Sequence, residues 1–394
     1  MNDKRIVEAA VFGLGIAAAT VAFADPFGAP PDELHAWAVH DDYRPGVAKI
    51  VTEAGKPPSD AIVLFDGTAE SVEKNWCSTD GKPTKWTLDA NGELISVRGA
   101  GYICTKRKFA DCQLHVEWAA PAKVQGSGQG RGNSGVFLPG GYEIQVLDSY
   151  ETDPSKTPNP NPNYSDGQAG AAYGQNPPLV NPCRAPGVFN TYDIIFHAPV
   201  FGADGKVVKP ATATVLFNGV LIQDNWMFDG PTDWRIRANY DKVRPGPAPI
   251  KLQDHGNPVH YRNIWVRELA PQGSNILHGR YFADREAVKK QRAATAAKLD
   301  AEFDAKWGGA KCGRKAVEAW RIVAYEATPA RLERAKAAER AFVDKLLSGG
   351  VTRRNIGQTC GVGFGDAETW FKRLAAAGVK DAGKPILEAL RKLK

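Results

Sequence analysis

The chain has 394 residues, a formal net charge of +6 and a pI near 8.9. That length suits one large domain plus a smaller one. Without a run of Lys and Arg interleaved with aromatics, no nucleic-acid partner is expected. Gly 40, Pro 27 and Trp 10 point to many turns and aromatic surfaces.

Residues 1–24 read as a signal peptide. Lys4 and Arg5 form a basic start, Val11 to Phe23 an apolar stretch, and Ala22-Phe23-Ala24 an A-x-A cleavage site before Asp25-Pro26. The apolar run is too short and too rich in Ala and Gly for a membrane anchor. An exported protein, periplasmic or secreted, with no membrane span in the mature chain is expected. Six cysteines in an exported chain make disulfides an expectation. Cys104 and Cys112 flank a short turn, Cys77 and Cys183 share their domain, and Cys312 and Cys360 lie together near the C-terminus. Sequence alone does not choose a pairing, and buried free thiols are the alternative.

Residues 25–58, rich in Pro, Asp and Gly, read as a linker or irregular extension. From 59 to 270 the pattern becomes short alternating runs such as "CQLHVEWAA", "GYEIQVLD", "TATVLFNGVLIQD" and "YRNIWVREL". Asn91-Gly92 and Asn218-Gly219 sit between such runs as hairpin signals. The expectation is a mainly β domain of two packed antiparallel sheets. Within it, the 39 residues after Asp148, Ser149 to Gly187, have almost no periodicity. Tyr164, Tyr173 and nearby glycines favour a functional loop packed over a site. From Tyr281 to the end, Ala, Lys, Arg and Glu dominate and apolar residues recur at helical spacing. This predicts a helical C-terminal region, 281–394, of about four helices with solvated charged faces.

Period-two alternation sorts "YEIQVLD" into Tyr142, Ile144 and Val146 on one face and Glu143, Gln145 and Leu147 on the other. "CQLHVEWA" likewise sets Leu114, Val116 and Trp118 against Gln113, His115 and Glu117. Carboxylate, amide and imidazole groups on one face suit sugar hydroxyls, and Trp226 and Trp234 are aromatics available for stacking. Asp254 and His255 stand in a Gly- and Pro-bounded turn that would expose an oriented imidazole. The bland alternative is a sheet with one solvated face.

Successive motifs carry a more specific signal: "IVLFDGT", "GYICT", "GNSGVFLPGGYEIQVLDSY", "AGAAYGQNPP", "TYDIIF", "VLFNGVLIQD" and "PIKLQDHGNPVHYRNIWVREL". In this order, from Ala61 to Leu269, they resemble the 3-keto-disaccharide hydrolase domain family. The resemblance implies an antiparallel jelly-roll β-sandwich of the concanavalin A-like kind, with a helical C-terminal region outside it. It also implies a carbohydrate substrate whose C3 hydroxyl has been oxidised to a ketone, which acidifies the C2 proton. Cleavage would then run by C2 proton abstraction, β-elimination at C1 and hydration. Carried over, the family's polar strand falls on Glu143 and Gln145, its turn on Asp254, His255 and Gly256, and its "NSG" on Asn133 to Gly135.

On this basis His255 or Glu143 is the expected base, with Asp254 beside them and Glu117 or Asp148 the next carboxylates. Gln145, Asn133 and Arg262 would orient hydroxyls or stabilise the enolate, and Tyr173 would contact substrate. Glu143, Asp254 and His255 are also donors that suit a divalent metal, although spacing does not establish a site. Gly141 and "APGVFN", around Val188 and Phe189, depart from the family pattern and put substrate contacts in question. Two other readings stand beside this one. One is a non-catalytic carbohydrate-binding module. The other is a conventional glycanase, which expects two carboxylates on one strand facing the groove, where "YEIQVLD" offers only Glu143.

Overall fold

The computed structural model describes residues 28–151, 153, 155–156, 160–269 and 285–394. The expected signal peptide lies outside these residues. Two compact units divide the chain, one of residues 48–271 and one of residues 1–47 with 272–394.

The first unit is a sandwich of antiparallel sheets. In the larger sheet, Val220–Met227, Thr212–Phe217, Asn190–His197, Cys112–Ala119, His260–Glu268, Leu94–Ile95 and Thr87–Leu88 lie side by side in that order, and Ile62–Phe65 also pairs with His260–Glu268. The smaller sheet runs Trp76–Ser78, Ile103–Thr105, Lys251–Leu252, Ser134–Leu138, Tyr142–Val146. Both Asn-Gly pairs turn the chain between consecutive paired strands, with Asn218 (φ 51°) and Gly219 (φ 79°) left-handed as a tight hairpin requires.

Alternation decides what each sheet buries. Leu114, Val116 and Trp118 of the larger sheet and Tyr142, Ile144 and Val146 of the smaller join one buried apolar cluster. Tyr142 meets Phe196 across the layers, with ring centroids 5.5 Å apart. Two buried hydroxyls tie the sheets together: Tyr192 donates to the Gln145 carbonyl at 2.7 Å, and Tyr261 and Ser134 share a 2.6 Å bond. Because the apolar faces meet inside, the polar faces of the two sheets look away from each other.

The aperiodic loop is ordered where it meets the sheet edge. The Gln145 amide donates to the Ala171 carbonyl, Gly170 donates to Gln145, and Tyr173 donates to Glu143. It thereby covers an edge strand that would otherwise expose unpaired backbone groups.

The second unit is helical. Its described helices are Arg285–Trp307, Cys312–Tyr325, Pro329–Leu347, Ile356–Cys360, Phe364–Ala376 and Lys384–Arg391. They enclose a separate core around Trp320, Phe342, Trp370 and Phe371. Thr328 caps Pro329–Leu347 through its hydroxyl, and Pro329 occupies the first turn, where its missing N–H is harmless. Residues 28–47 fold with this unit: Arg321 is buried against Asp41 and Asp42, and the Ala38 amide donates to the Tyr325 hydroxyl. No helix among the described residues is long and apolar enough to cross a membrane.

Candidate active site

On its outward side the smaller sheet carries a cavity of about 330 Å³, lined among others by Tyr102, Asn133, Glu143, Gln145, Tyr173 and His255. Strand register explains the convergence. Lys251–Leu252 pairs with Phe137 and Val136, and those pair with Glu143 and Ile144. Continuing one residue, the Gln253 amide donates to the Gly135 carbonyl, and Gly135 lies opposite Gln145. The turn after Gln253 then projects His255 to the same side.

Glu143 is the unusual member. It is only 4% exposed, and its carboxylate has no hydrogen-bond or ion-pair partner among the described residues. Burial alone pushes its pKa up to about 8. Gly135 makes room for it, since a Cβ there would overlap Oε1 of Glu143. At the strand start, the Glu143 amide donates to the Thr232 hydroxyl at 3.0 Å, and the Thr232 amide donates to Gly141. Gly141 is left-handed (φ 99°), which accounts for a glycine where a side chain would be strained.

The amides beside Glu143 lock one another. Asn133 donates to the backbone carbonyl and side-chain oxygen of Gln129. Gln145 donates to Gln129 at 3.0 Å and to Asn133 at 3.2 Å, and Gln129 donates to Gly167. With these amides committed to one another, the groups left to donate into the cavity include hydroxyls and the His255 imidazole. Tyr102 accepts from Gln253 at 2.6 Å, so its own proton is free to point into the cavity. Burial raises the Tyr102 pKa, and the charges of Glu143 and Asp254 add to this against the Gln253 hydrogen bond. Tyr173 shares a 2.8 Å bond with Tyr164. Burial raises its pKa too, helped by Tyr164 and by the charge of Glu143.

Four sequence-expected residues lie elsewhere. Glu117 and Arg262 sit on the outer face of the larger sheet, paired at 2.7 Å. His115 at 3.7 Å, Asn263 and Arg262 hold the Glu117 pKa down to about 2. Burial opposes charge on His115, but Asp193 and Glu117 outweigh it and raise its pKa to about 9. Asp148 is buried against Arg131 at 2.6 Å. Asp254 builds the turn instead of facing the cavity, accepting from the Gly101 and Gly256 amides. Phe189, in one of the two departing segments, packs under the Arg262 guanidinium, 3.9 Å from its ring centroid, and not in the cavity.

A metal held by Glu143, Asp254 and His255 does not fit this geometry. Among the described residues, the three-donor group close enough for an ion is Asp89, Glu93 and His260, at a hairpin of the larger sheet. There Glu93 already pairs with His260 at 2.7 Å.

The sequence reading missed Tyr102, Gln129, Phe137, Thr232, Asp233 and Gln253, and noted Trp234 only as an available aromatic. Gln253 had a signal, because it alternates with His255 beyond Lys251–Leu252. Asp233 and Trp234 come from an irregular segment with none.

A family model for the 3-keto-alpha-glucoside-1,2-lyase-like domain matches residues 60–267. The chain belongs to this family. Its lyase-like domain thus coincides with the sandwich, and the helical unit lies outside it. A crystal structure of a protein from Parabacteroides distasonis ATCC 8503, assigned as a glycosyl hydrolase, is 42% identical. The match covers 57% of this chain and 92% of that one, with a TM-score of 0.51. A second structure from the same organism, assigned likewise, is 17% identical over 54% of this chain and 94% of that one, with a TM-score of 0.37. No match was found among curated proteins.

Proposed function

We propose that this is an exported enzyme that cleaves glycosides already oxidised to a ketone at C3, using a jelly-roll sandwich of the concanavalin A-like kind. The observation that carries the reading is Glu143: a partnerless, desolvated carboxyl beside phenol and imidazole groups in a sugar-sized polar cavity. Membership of the lyase-like family and the likeness to a protein assigned as a glycosyl hydrolase support a carbohydrate-active role.

Glu143 as carboxylate takes the C2 proton, and the C–H electron pair moves into the C2–C3 bond while charge collects on the C3 oxygen. The Tyr102 hydroxyl, oriented by Gln253, donates a hydrogen bond to that oxygen. When the C3 carbonyl re-forms, a C1–C2 double bond appears and the C1 oxygen leaves, protonated by His255. Water adding at C1, with the proton returned to C2 by Glu143, completes net hydrolysis. Release before water addition gives a lyase product. Desolvation suits Glu143 to this work because a carboxylate that is costly to ionise is a stronger base once ionised.

Asp233 favours a second reading, since it is another carboxylate in the cavity wall, as a conventional glycosidase requires. However, it accepts from the adjacent Trp234 amide at 2.7 Å. The test is incubation in D₂O with a 3-keto-glucoside and with its unoxidised parent. Deuterium at C2 of product from the ketone alone is the expected result. Cleavage of the unoxidised parent without label would overturn it in favour of the Asp233–Glu143 pair.

A further inference from the structure

A second cavity of about 530 Å³ adjoins the first and shares Tyr173, Asp233 and Trp234 as a common wall. It is larger than the sugar-sized room and differently lined. Three exposed apolar side chains converge on it: Trp234 (63% exposed), Ile236 (61%) and Tyr164 (47%). Large apolar groups left in water around one concavity mark a binding surface. Ile236 in particular offers nothing to a sugar hydroxyl.

This wall is built. Gln175 donates to the Gly230 carbonyl and accepts from the Asp229 amide, clamping the base of the segment that carries Trp234. Arg235 holds a left-handed backbone (φ 58°) that a branched or long side chain adopts at a cost, and its guanidinium lies 4.6 Å from the Trp234 ring centroid. The result is a guanidinium–indole pair that lines the cavity together with Ile236, Arg237 and Asp166.

Building on the cleavage reading above, we propose that this second cavity is the leaving-group subsite and that it takes an aromatic aglycone. A planar ring stacks on the indole–guanidinium face and against Ile236, while Arg237 and Asp166 engage phenolic hydroxyls on the ring. The shared wall puts the glycosidic oxygen at the junction of the two cavities.

The experiment compares methyl, benzyl and glucosyl leaving groups on one sugar, in two arms. Methoxide and benzyloxide leave with similar ease, so their ratio reads recognition. In the turnover arm, kcat/KM for the 3-keto-glucosides should favour benzyl over methyl by about tenfold or more. Ile236→Ser and Arg235→Gly should each pull that ratio toward one. In the binding arm, calorimetry with the unoxidised benzyl and methyl glucosides should show the same preference and the same loss. Turnover of all three ketones with a benzyl-to-methyl ratio near one, or with glucosyl preferred, overturns the aromatic subsite and leaves the cleavage reading standing. A benzyl preference in binding without turnover of any ketone supports an aromatic subsite and overturns the cleavage reading instead.

Discussion

Replacing Glu143 with Gln separates the two consequences of burying its carboxyl. The folded pKa of about 8 stands against an ordinary value of 4.5. The folded protein therefore holds a proton that the unfolded chain releases between those values. The sign follows: this contribution to stability is intact below pH 4.5 and is lost as pH rises through 8. The cost in wild type comes to about 3 kcal/mol at pH 7 and about 5 kcal/mol above pH 9. Glu143→Gln carries no such proton, so its stability should match wild type near pH 4 and exceed it increasingly toward pH 9, read from denaturation midpoints. Activity should move the other way. Only about a tenth of wild-type Glu143 is ionised at pH 7, so enzyme-catalysed exchange of the C2 proton of a 3-keto-glucoside with solvent deuterium, the step that uses Glu143 as base, should rise roughly tenfold to a plateau above pH 9. The Gln variant should lose on the order of 10²–10⁴-fold at every pH. Parallel stability curves for the two proteins, or turnover retained in the variant, would refute the reasoning.

Gly135→Ala places a methyl group where Oε1 of Glu143 sits, and should cost about 10²-fold in kcat while leaving the circular dichroism spectrum unchanged. Glu117→Gln should leave kcat/KM within about twofold, because the residue faces away from the cavity. The Glu117 pKa is held low, so its contribution is present above the ordinary carboxylate range and lost as pH falls through about 2. The variant should thus be less stable by about 1–3 kcal/mol at neutral pH in urea titrations. Cys77 and Cys104 are directly opposed on neighbouring strands with sulfurs 3.6 Å apart. Peptide mapping after air oxidation without reductant should find them cross-linked, with a gain of about 3–4 kcal/mol in stability. It should not find Cys104 joined to Cys112, which is buried in the other sheet.

Alternation alone made the sandwich legible, because each strand declares one apolar face and two such sheets have to bury those faces together. What alternation does not declare is which polar faces end up side by side. Glu143 and Glu117 look equivalent as letters, each between apolar neighbours on a strand. Yet their strands belong to different sheets, and burying Ile144 and Val116 in one core sends the two carboxylates to opposite outer faces. The same logic removes Arg262, whose register partner is Glu117.

His255 and Glu143 do line one cavity because their segments join a single sheet through Ser134–Leu138, a relation the family motifs carried and the spacing did not. The difference between a solvated carboxylate and a chemically poised one then rests on neighbours that no local pattern exposes. Glu117 finds His115, Asn263 and Arg262, and its proton is held off to about pH 2. Glu143 finds a glycine opposite its neighbour Gln145, amides already committed to one another, and a loop sealing its strand edge. The same functional group therefore keeps its proton to about pH 8. The gap between those two values comes from tertiary context, charged and polar partners at Glu117 and burial without one at Glu143, so a site of this kind is located by asking which buried carboxylate the fold has left without a partner.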